Sequence, residues 1–321
     1  MSSRKLVLAA LAVFVLVLTT GVMVSQAQDD LTIGFAQVGS ESGWRTSFTN
    51  AMMAEAEAQG ITLLFADGQQ RQENQIAALR SFIAQGVDAI ILAPVVETGW
   101  DEVLQEAQDE GIPVLIIDRN VTADPSFYIT RVASDFVHEG RVAAAWLVQA
   151  TASRAECNIV ELQGTVGSSA ALDRQTGFNE VIALFPSLEI VASQSGDFTR
   201  TGGKEVMESF LNSMDPATIC AVWAHNDDML IGAIEAMKEQ GIDPAQDILT
   251  ISVDAIPDIF RAMADGDANA TVELSPNMGV QAYQAIKDYL AGETLPPLIS
   301  VPGGMYFPDT AEEEYAARSG S

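Results

Sequence analysis

Glu41, Trp44 and Arg45 crowd a single turn, "GSESGWR", between an apolar run at 31–35 and a helical pattern that begins at Trp44. A plain strand-to-helix turn needs only its glycines and a serine cap, so a carboxylate, an indole and a guanidinium there ask for another reason. Similar groups stand at other apolar-run ends: Asp118 and Arg119 after "PVLII", Arg174 in "GTVGSSAALDR", Asn226 and Asp227 in "AHNDD", Asp254 in "VDAIPD". Arginine is scarce in this chain, yet three arginines fall at these ends. Carboxylates accept from hydroxyls, guanidinia and amides donate to them, and opposite charges nearby keep buried ions tolerable. An indole offers an apolar face to the CH side of a ring. The set suits a neutral, polyhydroxylated small molecule. It also discriminates sharply, because a missing hydroxyl leaves a buried polar atom unpaired.

Each residue has a plainer alternative. Asp118 or Asp254 alone would serve as a helix cap, Arg174 as a surface partner of Asp173, and Trp44 as an apolar plug between strand and helix. Asp227, opening "DDM", reads first as an N-terminal cap. "GTVGSS" fits neither a GxGxxG nor a Walker pattern, "GSESG" has glutamate where GxSxG needs serine, and HExxH is absent. His138 and His225 make no metal set with the cysteines, and His225 reads as part of a strand end. No catalytic residue, metal or cofactor is expected.

The elements that position these groups are legible as a repeating pattern. Apolar runs "LTIGFAQV", "ITLLFADG", "AIILAPVV", "PVLIIDR" and "FYITRVAS" alternate with helical stretches ending at Gly60, Gly86 and Gly111. A long helical stretch, 135–151, leads to a second series: "CNIVELQG", "EIVASQSG", "CAVWAHND", "ILTISVDA" and "ANATVEL". Continuous apolar strands separated by helices mean parallel sheets covered on both faces, so the fold class is α/β with two doubly wound units. After Pro276 come one more helix, a break at Pro296 and Pro297, and a short strand near Met305–Phe307, so more than one segment is expected to link the units. In such sheets ligands sit outside the carboxyl ends of the strands, where the polar groups above fall.

Composition narrows the classes further. The 321 residues carry 44 acidic and 16 basic side chains, a net charge of −28, which repels nucleic acid and anionic lipid. Arg4 and Lys5, the run "LVLAALAVFVLVL" and small residues near Ala27 form a secretory signal peptide over 1–27; an uncleaved anchor is the rival reading. The two cysteines, Cys157 and Cys220, permit a disulfide or remain two buried thiols. In a 2-1-3-4-5 strand order they open neighbouring strands at the same sheet edge, within plausible bridging distance.

At "QVGSESGWR", "ADGQQRQENQIAALRSFIAQGVDAIILAPV", "VELQGTVGSSAALDRQTGF", "SQSGDFTRTGGKEVMESF" and "AHNDDM" the chain resembles the periplasmic sugar-binding proteins of ABC importers, in their ribose-binding-like group. The resemblance runs from the first strand to "PDTAEEE" and implies a type I periplasmic binding protein with a multi-strand hinge. It implies sugar contacts at Glu41, Ser42, Gly43, Trp44, Arg45, Asp118, Arg119, Arg174, Asn226 and Asp254, and it pairs Cys157 with Cys220. It further implies a furanose ligand, galactofuranose, with arabinofuranose or another pentose or hexose as alternative. The partners implied are an ABC permease and its ATPase, for a monomer in the periplasm. The expected lobes are 31–134 with 275–297, and 135–274 with 298–310, followed by a tail at 311–321. A repressor would need a helix-turn-helix where the export signal stands. A sugar-processing enzyme and a chemoreceptor module are the remaining rivals.

Overall fold

The computed structural model describes residues 31–319, and the expected signal peptide at 1–27 lies outside the described residues. The first series folds as β1 (Thr32–Gln37), α1 (Gly43–Ala58), β2 (Thr62–Asp67), α2 (Gln72–Gln85), β3 (Ala89–Leu92), α3 (Asp101–Asp109), β4 (Val114–Ile117) and β5 (Thr130–Ala133). β3 and β4, "AIIL" and "VLII", are buried along their whole length because helices cover both faces. Their side chains alternate. Ile90, Leu92, Val114 and Ile116 share a core with Leu79 and Phe82 of α2, Leu104 of α3 and Trp100 just before α3, while Ile91, Leu115 and Ile117 share a core with Phe35, Phe48 and Met52. Gly86 ends α2 at φ 66°, the left-handed stop its glycine announces.

The second series gives α4 (Phe136–Ala150), β6 (Cys157–Gln163), α5 (Ser169–Ile182), β7 (Leu188–Ser195), α6 (Arg200–Ser213), β8 (Ile219–Ala224), α7 (Asp227–Glu239), β9 (Leu249–Asp254), α8 (Pro257–Ala264) and β10 (Ala270–Glu273). Asp135, Ser168, Thr199 and Asn226 cap α4 to α7, each side-chain oxygen accepting a backbone N–H three residues on. The chain closes with α9 (Gly279–Leu290), β11 (Leu298–Ser300), β12 (Met305–Tyr306) and α10 (Ala311–Arg318).

Both sheets share one order: β2-β1-β3-β4-β5-β11 and β7-β6-β8-β9-β10-β12, parallel except for the antiparallel β10–β12 pair. The chain passes between lobes after β5, after β10 and between β11 and β12, so the hinge has three strands of chain. Two expectations are corrected. Leu298–Ser300, assigned with 298–310 to the second lobe, pair with β5 of the first sheet, because the prolines before them leave an extended segment at an open edge. The tail expected at 311–321 is helical to Arg318 and packs on α8, itself unread from sequence, through Arg318 over Phe260 and Arg261 over Tyr315. Cys157 and Cys220 form a disulfide between the neighbouring strands β6 and β8, with Cα atoms 5.0 Å apart.

Candidate functional site

Strand ends and the early turns of the helices that follow them, from both lobes, converge on one small cavity. From the first lobe come Glu41, Ser42, Trp44, Arg45, Asp118 and Arg119; from the second, Arg174, Asn226, Asp254 and Phe198. Ser42 caps α1, accepting the Arg45 N–H at 3.0 Å, which fixes the turn that carries Glu41 and Arg45. Arg45 lies 3.2 Å from Glu41 through Nε and 2.8 Å from Asp118 through Nη2, and Nη1 donates to Gln37. Burial opposes its charge, but the two carboxylates prevail and raise its pKa. Arg119 donates to the Val95 carbonyl at 2.9 Å; burial and the neighbouring Arg45 lower its pKa to about 10, so it stays charged at neutral pH. Two carboxylates against two guanidinia leave this wall near neutrality.

On the second wall the helix approach is set by glycine. A Cβ at Gly140 would lie 2.1 Å from the Arg174 carbonyl, and one at Gly177 would lie 1.9 Å from that of Val137, so α4 and α5 touch backbone to backbone. That contact brings Glu139 within 2.9 Å of Arg174 Nε. Arg174 Nη1 donates to the His225 carbonyl at 2.6 Å, and its Nη2 lies 3.7 Å from Asp254 Oδ1. Burial raises the pKa values of both Glu139 and Asp254 against the pull of Arg174. Asp254 sits at φ +127° and Ala255 at +60°, a strained pair where strand β9 meets the cavity. Asn226 accepts from Met229 N–H as the cap of α7 and donates to the Phe198 carbonyl at 3.1 Å.

Nine of the ten residues expected at the site line this cavity, and Gly43 does not: its N–H donates to Asp228 of the second lobe at 2.7 Å. Trp44 lines it too, but its ring is stacked on Phe48, with centroids 5.2 Å apart, and Nε1 donates to the Leu274 carbonyl at 2.6 Å. The cap read at Asp227 is corrected. Asn226 holds that position, and Asp227 turns inward to Ser252, Thr271 and the Ile256 N–H. Arg174, 2% exposed, is no surface partner of Asp173. Sequence reading missed Phe198, whose ring lies 5.2 Å from the Arg119 guanidinium and 5.9 Å from that of Arg174. The signal was present in "SGDFTR", a strand end from which no site residue was read. Glu139 gave none, since only helix contact places it.

Hydrogen bonds across the cleft mouth hold the lobes together: Glu97 N–H to the Gly167 carbonyl (3.0 Å), Asn120 N–H to Ser169 Oγ (2.8 Å), and Gln70 to the Asp197 carbonyl (3.2 Å). Among the described residues, Glu41 Oε2, Arg119 Nε and Arg174 Nη2 are buried polar atoms without a hydrogen-bond partner, and all three residues face the cavity. No cluster among the described residues has the make-up to hold a metal ion.

Two hinged α/β lobes closed on a charge-balanced cavity define a solute-binding protein of the type I periplasmic fold. The chain belongs to the periplasmic binding protein family, whose domain model matches residues 33–294. It is 55% identical to the galactofuranose-binding protein YtfQ of Escherichia coli, over 88% of this chain and 90% of that one. A crystal structure of a galactofuranose-binding protein superposes with a TM-score of 0.89 at 54% identity, covering 90% of this chain and 99% of the other. The binding component of the arabinose ABC transporter of Shewanella sp. ANA-3, bound to L-arabinofuranose, superposes at 0.87 with 58% identity, over 89% and 95%. These relatives are sugar-binding proteins, and one of them is the binding component of an ABC transporter.

Proposed function

We propose that this protein captures one monosaccharide in its furanose form, galactofuranose first, and presents it to an ABC permease driven by an ATPase. It does so as a monomer in the periplasm, after export by its N-terminal segment. The observation that carries the reading is the cavity itself: enclosed between the two lobes, near neutral, and lined by residues whose buried donor and acceptor atoms are left to pair with hydroxyls. An anionic ligand would upset the balance of Glu41 and Asp118 against Arg45 and Arg119. Phe198, between two guanidinia, is the aromatic wall best placed for the CH face of a ring, since Trp44 is taken up by Phe48. Arabinofuranose is the second reading, favoured by the likeness to the Shewanella protein bound to that sugar.

A ligand bound only by the folded protein raises its melting temperature, so a thermal-shift screen of pentoses and hexoses ranks the sugars. Calorimetry on Arg174→Ala then tests the site. The change strands Glu139 and removes a donor to the sugar, for an expected loss of about 2–4 kcal/mol of affinity. Binding within threefold of wild type would sink the proposed site.

A further inference from the structure

We propose that Arg318, on the C-terminal helix outside the segment 33–294 that matches the family domain, is a positioning residue for the sugar site, acting through the backbone of Asp254 and Ala255. The inference rests on the sugar-binding reading above.

Asp254 and Ala255 hold positive φ values without being glycine, and such a conformation persists only where its surroundings fix it. Four contacts do so. The Asp254 carbonyl accepts from Leu274 N–H at 3.3 Å, and Ala255 N–H donates to Thr271 Oγ1 at 3.3 Å. Ile256 N–H donates to Asp227 Oδ2 at 2.8 Å. The fourth is Arg318 Nη1, which donates to the Ala255 carbonyl at 3.3 Å. Three of these pins come from the sheet and α7; the last comes from α10. The same guanidinium reaches Glu273 Oε1 at 2.9 Å and the Tyr306 hydroxyl at 2.9 Å, and it lies over the rings of Phe260 and Tyr306. Glu273 precedes Leu274, whose carbonyl takes the Trp44 indole from the other lobe. Arg318 thus ties together the ends of β9 and β10, one carrying a sugar-site carboxylate and the other a hinge contact. A planar guanidinium meets these partners at once, whereas an alanine meets none.

The test compares wild type, Arg318→Ala and Glu313→Gln, the last removing an exposed charge from the same helix while leaving the Arg318 contacts, its pairing with Glu314 included. Affinities for D-galactose and L-arabinose are measured by calorimetry, melting temperatures without sugar, and amide exchange without sugar by segment. Arg318→Ala is expected to bind about tenfold more weakly, with faster exchange confined to 254–256, 273–275 and α10. Glu313→Gln is expected to match wild type. Affinity of Arg318→Ala within twofold of wild type overturns the inference, as does faster exchange confined to α10 or spread over the whole chain. If wild type binds no sugar, the functional reading falls, and the exchange pattern alone still decides whether Arg318 holds the Asp254 backbone.

Discussion

Asp227 is fully buried beneath the cavity, its Oδ1 accepting from Ser252 at 2.5 Å and Thr271 at 2.7 Å, its Oδ2 from the Ile256 N–H. Burial outweighs these donors and raises its pKa to about 7. Raised in the fold, this carboxyl contributes stability that is full below the unfolded value near 4 and is lost as pH rises toward 7. The difference in melting temperature between wild type and Asp227→Asn should therefore shrink from pH 4 to 7 and level off above. Parallel profiles would contradict it. Glu161 acts in the opposite sense. Burial pushes its pKa up, but donors from His225, Ser193 and Gln163 bring it down to about 2, so its contribution is lost as pH falls from the normal carboxylate range toward 2. Gly164 N–H donates to His225 Nδ1, leaving Nε2 to donate to Glu161, and burial keeps the imidazole neutral. His225 is a strand-end prop beneath Arg174, as its place in the sequence suggested.

Between elements, small residues decide which charges meet. A Cβ at Gly203 would lie 2.3 Å from the Met229 carbonyl and one at Gly232 2.0 Å from that of Arg200, so α6 and α7 are in backbone contact. Arg200 consequently pairs with Asp228 at 2.9 Å and Asp258 at 2.7 Å, and Asp228 accepts the Gly43 N–H at the start of α1. A second-lobe carboxylate thus caps a first-lobe helix only when the cleft is shut. Asp228→Ala should weaken sugar binding about fivefold by destabilising the closed state, with the ranking of sugars unchanged because no ligand contact is altered. Calorimetry across two sugars checks this, and an altered ranking would place Asp228 in the cavity instead. Most strands were legible because buried parallel strands are continuous apolar runs. The two eight-residue helices, α8 and α10, were not, since Ile259, Phe260 and Met263 form too short a pattern and "AEEEYAAR" looks like a solvated tail.

For the whole molecule, the disulfide and the cleft lie at opposite edges of the second sheet. Replacing Cys157 and Cys220 with serine should cost about 2–4 kcal/mol of stability and leave sugar affinity within twofold. Denaturant unfolding beside calorimetry separates the two, and a large loss of affinity would show that the bridge reaches the site. The order of elements, the pairing of lobes and the placing of Glu41, Arg45, Asp118, Arg119 and Asp254 at or just after strand ends were set by the sequence alone, because apolar period and parallel connection are local rules, whereas Arg174 reaches the site from within α5. Only the tertiary structure decided which charges compensate which. Glu139 reaches Arg174 through a glycine contact between helices, Asn226 rather than Asp227 caps α7, and Arg318 returns from the end of the chain to the Ala255 carbonyl. Hydrogen bonds and buried ion pairs need atoms about 3 Å apart, and no local pattern records the approach of elements distant in the chain. The turn "GSESGWR" shows both halves: its groups announced a site, while the stacking of Trp44 on Phe48 and the hold of Asp228 on Gly43 emerged only when the lobes met.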